Sequence, residues 1–271
     1  MGKRLGQHFL VNETAKALIV NALSPLPDDT VVEIGSGHGE LTQELMNKNS
    51  ELRIIAIEKD EELCRTLQQK FSDDKRVEVV CGDVREALPV LAQRYMLKAG
   101  NYKLVGNLPY YLTGRLLRIV GELPEKPSRC VFTIQKEVAQ RLSAAPQRMN
   151  KLAACVQYWA KPKVISYLLP ESFRPAPKVE SAIIVLDTLQ KEKAGISEDA
   201  YYRTVQVLFA HPRKTALNNL LAGVEKSAEE LRGALASVDA ENARAQSMSI
   251  SQIERLARIL CADNPSQAGK T

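Results

Sequence analysis

Apolar residues recur along this chain as short continuous runs up to about Thr188, and only at helical spacing after it. Runs near 30–34, 54–57, 77–80, 103–106, 130–134, 163–169 and 182–186 have the length of strands. Stretches such as Leu41, Leu45, Met46, with apolar positions three or four apart, lie between most of them and predict helices. Strands alternating with helices predict an α/β fold, a parallel sheet covered on both faces. The last two runs are expected to pair as a hairpin. Beyond Thr188 the periodicity is purely helical, through Val205, Leu208, Phe209, Leu217, Leu220 and Leu221, then Leu231, Leu235, Ile253, Leu256 and Ile259. Residues 1–188 are therefore expected to form one α/β domain and residues 197–262 a small all-α domain. Lys191–Gly195 reads as a linker and 263–271 as a disordered tail.

Composition narrows the function classes. No apolar run approaches the roughly 20 residues of a membrane span, and Met1-Gly2-Lys3-Arg4 carries no leader-like apolar stretch. A soluble cytoplasmic protein with no membrane partner is expected. Three histidines without a ligand cluster predict no metal. Five widely spaced cysteines without a C-x-x-C pair predict reduced thiols. The net charge of +5 is unevenly spread: residues 1–102 hold 13 basic and 16 acidic groups, residues 103–180 hold 13 and 5, and residues 187–271 hold 11 and 11. The basic excess, including Arg115, Arg118, Lys136, Arg141 and Arg148, suits a polyanion such as nucleic acid.

The ends of the first four strands carry candidate ligand groups. Thr30–Ile34, containing Glu33, runs into Gly35-Ser36-Gly37-His38-Gly39 and then a helix. Glycines at such a turn permit positive φ and close ligand approach. The spacing G-x-G-x-G, with Glu40 opening the helix, opposes a pyrophosphate and favours a nucleoside cofactor without phosphates. Glu58, ending the second strand, is placed to accept from ribose hydroxyls, and Asp83, after the third, from an adenine amino group of the cofactor. The fourth strand ends in Asn107-Leu108-Pro109-Tyr110. An adenine 6-amino nitrogen is a poor nucleophile because its lone pair is delocalised into the ring. The Asn107 side-chain oxygen and the Leu108 carbonyl can each accept one of its N–H groups, Pro109 fixes the backbone and donates nothing, and Tyr110 offers a ring for stacking.

In this order the motifs resemble those of S-adenosylmethionine-dependent methyltransferases, and within them the ribosomal RNA adenine dimethyltransferases. Leu5-Gly6-Gln7-His8-Phe9-Leu10 resembles the family's G-Q-N-F-L segment, with His8 where asparagine is usual, and implies cofactor contacts from Gln7, His8 and Leu10 beside those of Glu33, Gly35, Gly37, Gly39, Glu58, Asp83 and Asn107. Phe173-Arg-Pro175-Ala-Pro177-Lys178-Val179-Glu180-Ser181 resembles F-x-P-x-P-K-V-x-S, which implies Phe173 as a second wall for the target base and Lys178 as an RNA contact. Phe209-Ala-His211-Pro212-Arg213-Lys214-Thr215 is similar to F-x-x-R-R-K-T, implying RNA contacts from Arg213 and Lys214, although Pro212 and Leu217 replace basic positions. Arg244-Ala-Gln246-Ser-Met-Ser249 is similar to R-A-E-x-L-S, whereas Asn150-Lys151-Leu152 departs from the family pattern. The resemblance implies a Rossmann-like class I methyltransferase fold, seven strands with one reversed, plus a helical C-terminal domain. It implies dimethylation of two adjacent adenines in the 3′-terminal hairpin loop of small-subunit rRNA, by a monomer acting on a pre-ribosomal 30S particle.

Three other readings compete. A macrolide-resistance-type methyltransferase of large-subunit rRNA shares the cofactor motifs, but the Arg213–Thr215 and Arg244 segments favour the small-subunit type. A non-catalytic assembly or transcription factor would have no need of the intact tetrapeptide. A DNA adenine methyltransferase usually carries Asn/Asp-Pro-Pro-Tyr and a large recognition domain, for which the chain has no room.

Overall fold

The computed structural model describes residues 7–190 and 196–262. The first elements are β1 (Phe9–Leu10), α1 (Glu13–Leu23), β2 (Thr30–Ile34), α2 (Glu40–Lys48), β3 (Arg53–Glu58), α3 (Glu61–Lys70), β4 (Val77–Cys81) and α4 (Val84–Arg94). β5 (Tyr102–Asn107), α5 (Thr113–Glu122), β6 (Arg129–Gln135), α6 (Lys136–Leu142), α7 (Lys151–Gln157), β7 (Ala160–Leu168), β8 (Phe173–Arg174) and β9 (Ser181–Thr188) follow. The last four are α8 (Glu198–Leu208), α9 (Ala216–Gly223), α10 (Ala228–Ala236) and α11 (Ile250–Ala262).

Seven strands make one sheet in the order β4-β3-β2-β5-β6-β9-β7, in which β9 alone runs antiparallel to its neighbours. The interior strands are continuous apolar runs because helices bury both of their faces, as with Ile54, Ile55, Ala56 and Ile57. β7, at the edge, alternates half-buried and exposed positions between its buried ends, and the exposed Lys161 and Lys163 hide its start at Ala160. The expected hairpin of the last two strands exists as the β7–β9 pair. Between them the chain turns through Pro170–Ser172 and lays β8 against β1, with Leu10 opposite Phe173. Parallel register aligns β2, β3, β4 and β5 so that their carboxyl ends, and the groups just beyond them, share one edge. α3 and α4 start there, each capped by an aspartate: Asp60 accepts from the Glu62 and Leu63 amides, Asp83 from that of Arg85.

Two close fits hold this half together. Gly106 in β5 passes so near β2 that a Cβ would fall against the Ile34 carbonyl oxygen inside contact distance. Lys103 at the other end of β5 is buried and donates to Asp29 Oδ2 at 2.6 Å and to the Ser24 carbonyl at 2.7 Å.

Two expectations are corrected. Cys64 and Cys81 are joined in a disulfide, and Cys130, Cys155 and Cys261 are thiols outside any disulfide. Their separation of 17 residues carries no motif. The β3–α3–β4 crossover places them side by side. The α/β domain also does not run unbroken to Thr188. Its compact unit extends to Gln140 and resumes at Ala160–Thr188, while Arg141–Trp159 joins the chain from Leu189 on. Met149, Ala153, Ala154 and Tyr158 supply the reason, since they are buried in one apolar cluster with Tyr201, Val205, Leu208, Leu231 and Leu256. Tyr158 stacks on Tyr201 at 3.8 Å between centroids, and the Tyr201 hydroxyl donates to the Ala154 carbonyl at 3.0 Å. The expected linker and tail lie outside the described residues.

Candidate active site

One cavity opens at the carboxyl edge of the sheet and is lined by Gln7, His8, Gly35, Gly37, Glu58 and Asp83 together with the whole tetrapeptide Asn107–Tyr110. A smaller neighbour adds Leu10, Glu33 and Ser36 beside Gly35, Gly37 and Asn107. Residues spread over a hundred positions of sequence thus meet through four parallel strand ends and β1.

The glycine turn has the predicted backbone: Gly35, Gly37 and Gly39 have φ of 72°, 58° and 79°. Gly37 leaves no spare room, because a Cβ there would lie 3.1 Å from the Phe9 ring. Glu58 is buried, with Oε2 taking the Gly37 amide and Oε1 the Asp60 amide, both at 2.8 Å. This fixes the carboxylate and leaves each oxygen a second lone pair for a diol. Glu33 is buried and accepts from Thr42 Oγ1 at 2.5 Å. Burial pushes its carboxyl up to about 8, against the pull of the Thr42 hydroxyl and with a smaller push from Glu40 and Glu58. Ser36 Oγ, also buried, has no hydrogen-bond partner among the described residues. A tight glycine cradle, a fixed carboxylate, a second acid near neutrality and an orphaned hydroxyl suit a nucleoside ligand with a cationic end.

Asn107 is held in a definite orientation. Its Nδ2 donates to the His8 carbonyl at 2.7 Å, which directs Oδ1 away from that bond, and Oδ1 has no hydrogen-bond partner among the described residues. The Leu108 amide donates to the Thr133 carbonyl at 3.1 Å, and the Pro109 carbonyl takes the Leu112 amide at 2.9 Å. The Leu108 carbonyl is left without a partner among the described residues. Tyr110 is anchored by a 2.8 Å hydrogen bond between its hydroxyl and Ser181 Oγ. A planar amine with two N–H groups, set over a ring, matches this array of two acceptors and one aromatic face.

Described by a model of ribosomal RNA adenine dimethylase, the family matches residues 1–260. The chain belongs to the ribosomal RNA adenine dimethylase family. Among its relatives, "Ribosomal RNA small subunit methyltransferase A" of Dehalococcoides mccartyi is 33% identical over 97% of this chain and 89% of its own length. The protein of that name from Geobacter metallireducens is 34% identical over 96% and 95%. Two solved structures share the dimethylase fold: a dimethyladenosine transferase from Plasmodium falciparum (TM-score 0.77, 21% identity, 92% of this chain and 96% of that one) and the 23S rRNA methyltransferase ErmE (0.70, 24%, 93% and 99%).

Against the dimethylase motifs, three expected roles change. Phe173 does not wall the cavity: it is 2% exposed and packs among Leu10, Leu168 and Ile183, because β8 pairs with β1 and turns the ring into the core. Gly39 lines neither cavity; its missing Cβ makes room for Leu67 and Phe71, so its work is packing. Asp83 lines the cavity but its oxygens are already engaged. Oδ1 accepts from the Arg85 amide and Nε, each at 2.9 Å, and Oδ2 from Arg85 Nη2 at 2.6 Å and Lys59 Nζ at 2.9 Å. The Arg85 guanidinium, with Lys59, holds this carboxyl well below the usual carboxylate range. An adenine amino group would have to displace one of these donors.

The expected RNA contacts divide between the two units. Arg115 and Arg118 are exposed on α5, with Arg118 paired to Glu122 at 2.7 Å. Lys178 is exposed, whereas Lys136 is tied to Glu180 at 2.6 Å. Arg141, Arg148, Arg213 and Lys214 are exposed in the second unit. Arg129, counted in the basic stretch, is a structural pair of Asp187 at 2.6 Å. Sequence reasoning missed Lys59, Thr42 and Gly106. A glycine inside a strand was the available signal for Gly106, while Thr42 reaches Glu33 only through the β2–α2 turn.

Proposed function

We propose that this chain dimethylates the 6-amino groups of two adjacent adenosines in the 3′-terminal hairpin loop of 16S rRNA, acting as a cytoplasmic monomer on an assembling small subunit. The observation that carries the reading is the Asn107 amide, whose nitrogen is tied to His8 and whose oxygen has no partner among the described residues, beside the Leu108 carbonyl and the Tyr110 ring. S-adenosylmethionine, when bound, would supply an electrophilic sulfonium methyl and would leave as the neutral thioether, keeping the electron pair of the broken S–CH3 bond. Glu58 would hold its ribose, and Glu33 and Ser36 would hold its amino-acid end. Asn107 Oδ1 and the Leu108 carbonyl would accept the two amino N–H groups and draw the nitrogen towards tetrahedral geometry, freeing its lone pair to form the new N–C bond. The alkylated nitrogen then loses its proton to water, and no general base is needed. Orientation alone can contribute roughly 7–11 kcal/mol. The names of the two quoted relatives support the small subunit over the large one.

The test is transfer of tritiated methyl groups to unmodified small and large subunits, with labelled nucleosides mapped. Asn107→Ala should abolish transfer while subunit binding persists. Label confined to the large subunit would move the assignment to the 23S type.

A further inference from the structure

The Cys64–Cys81 disulfide sits where walls of the cofactor cavity converge. Cys81 closes β4, opposite Glu58 in the parallel register, and the next two residues, Gly82 and Asp83, line the cavity. Its partner Cys64 lies in α3, a helix that reaches three parts of the same cavity. At its start the Asp60 amide donates to Glu58 Oε1 at 2.8 Å, and Lys59, just before it, pairs with Asp83 at 2.9 Å. At its end Leu67 and Phe71 fill the space that a Gly39 side chain would take, and Lys70 Nζ donates to the His38 and Gly39 carbonyls at 3.0 and 3.4 Å. The bridge therefore ties the end of β4 to the helix that supports both Glu58 and the glycine turn. Its two members differ in access: Cys64 is fully buried, whereas Cys81 is exposed. A disulfide with an exposed member is open to exchange with small thiols, and in the cytoplasm such bonds are mostly transient redox devices.

We propose that Cys64 and Cys81 form a reversible redox switch on cofactor affinity, closed in the oxidised protein and slack in the reduced one. The proposal rests on the reading above for its cytoplasmic setting and on the cofactor cavity for its effect. Closure proceeds by exchange with a low-molecular-weight disulfide. The Cys81 thiolate attacks one of its sulfurs and releases one small thiolate; the Cys64 thiolate then attacks the Cys81 sulfur of the mixed disulfide and releases the second. The protein gives up two electrons, the small disulfide takes them, and the two protons end on the released thiols. Opening is the reverse and begins at Cys81, the exposed partner. With the bond open, the Gly82 amide keeps its 2.8 Å bond to the Glu58 carbonyl, but the turn loses its covalent tie to α3. The cofactor must then order what the bridge had ordered beforehand, and its affinity falls.

The full chain is compared after oxidation by glutathione disulfide and after reduction by dithiothreitol, below the melting temperature of either form, with each state confirmed by mass after thiol alkylation. Calorimetry with S-adenosylhomocysteine should give a Kd about tenfold weaker in the reduced protein, comparable to ordering about one backbone residue on binding. Hydrogen exchange should quicken on reduction in residues 58–64 and 80–85 and stay level in α8. In methyl transfer, reduction should raise the KM for S-adenosylmethionine and leave kcat at saturating cofactor unchanged. A variant carrying both Cys64→Ala and Cys81→Ser should bind like the reduced parent and ignore both reagents; should it fail to fold, the parent measured in its two states decides the matter. Kd values within about twofold between the states would overturn the proposal, as would a Kd response that persists in the double variant. So would a bridge that stays closed in reduced glutathione at cellular concentration, or one that never forms. Absence of transfer to small subunits in both states, with the Kd response intact, would instead strike the adenine-methylation reading.

Discussion

Glu33→Gln isolates one buried charge and tests whether the acid in the glycine-turn cavity is neutral near physiological pH. The carboxyl is 2% exposed, and burial raises it from 4.5 to about 8. Between those values the unfolded chain has lost the proton and the folded chain keeps it. The folded state therefore binds more protons, and its stability falls as pH rises. The contribution is fully present below 4.5, is lost progressively up to about 8, and amounts to about 5 kcal/mol at full ionisation as an upper estimate. The slope in the middle of that window is about 1.4 kcal/mol per pH unit. Glutamine has the same shape, keeps an oxygen for the Thr42 hydroxyl and cannot ionise. Urea unfolding of parent and variant at pH 5, 6, 7 and 8 gives the difference directly, because every other titrating group is common to both. The variant should gain on the parent by at least about 2 kcal/mol between pH 5 and 8. Parallel curves would refute the reasoning. Calorimetry in two buffers of different ionisation enthalpy extends the test to the site: a cationic ligand beside Glu33 should drive off its proton at pH 7, and the glutamine variant should release none.

Other outcomes follow from the packing. Gly106→Ala should cost about 1–3 kcal/mol or more, because the new methyl meets the Ile34 backbone rather than a yielding side chain; a melting temperature equal to the parent's would show that β5 can move away from β2. Asp29→Ala strands Lys103 in a buried position and should destabilise by about 3–5 kcal/mol, measured by urea unfolding and reversed in part by Lys103→Met in the same chain. Cys81→Ser, or reduction of the parent, removes a bridge closing a loop of 17 residues and should lower stability by about 3 kcal/mol; identical melting with and without dithiothreitol would show that the bond does not form in solution.

Much of the architecture was legible in the chain because its signals are local. Continuous apolar runs marked the interior strands, since a strand covered on both faces has no polar alternate. The glycine turn announced itself because positive φ excludes most side chains, and Asn107-Leu108-Pro109-Tyr110 named its reaction through the donor and acceptor needs of a single amine. The segment Arg141–Trp159 was misassigned because an apolar stripe declares that a helix is buried without declaring against what. The same ambiguity hid Phe173, whose motif neighbours place it near the site while the β1–β8 pairing turns its ring inward. Asp83 had the right position at the end of β4, yet only side-chain placement revealed that Arg85 and Lys59 already fill its oxygens. Residue types and spacings determined which groups the site contains, because backbone conformation and chemical complementarity are written within a few residues. Which of those groups are available and which are spent on one another were decided by contacts between segments far apart in the chain, which exist only once the sheet has brought its strand ends together.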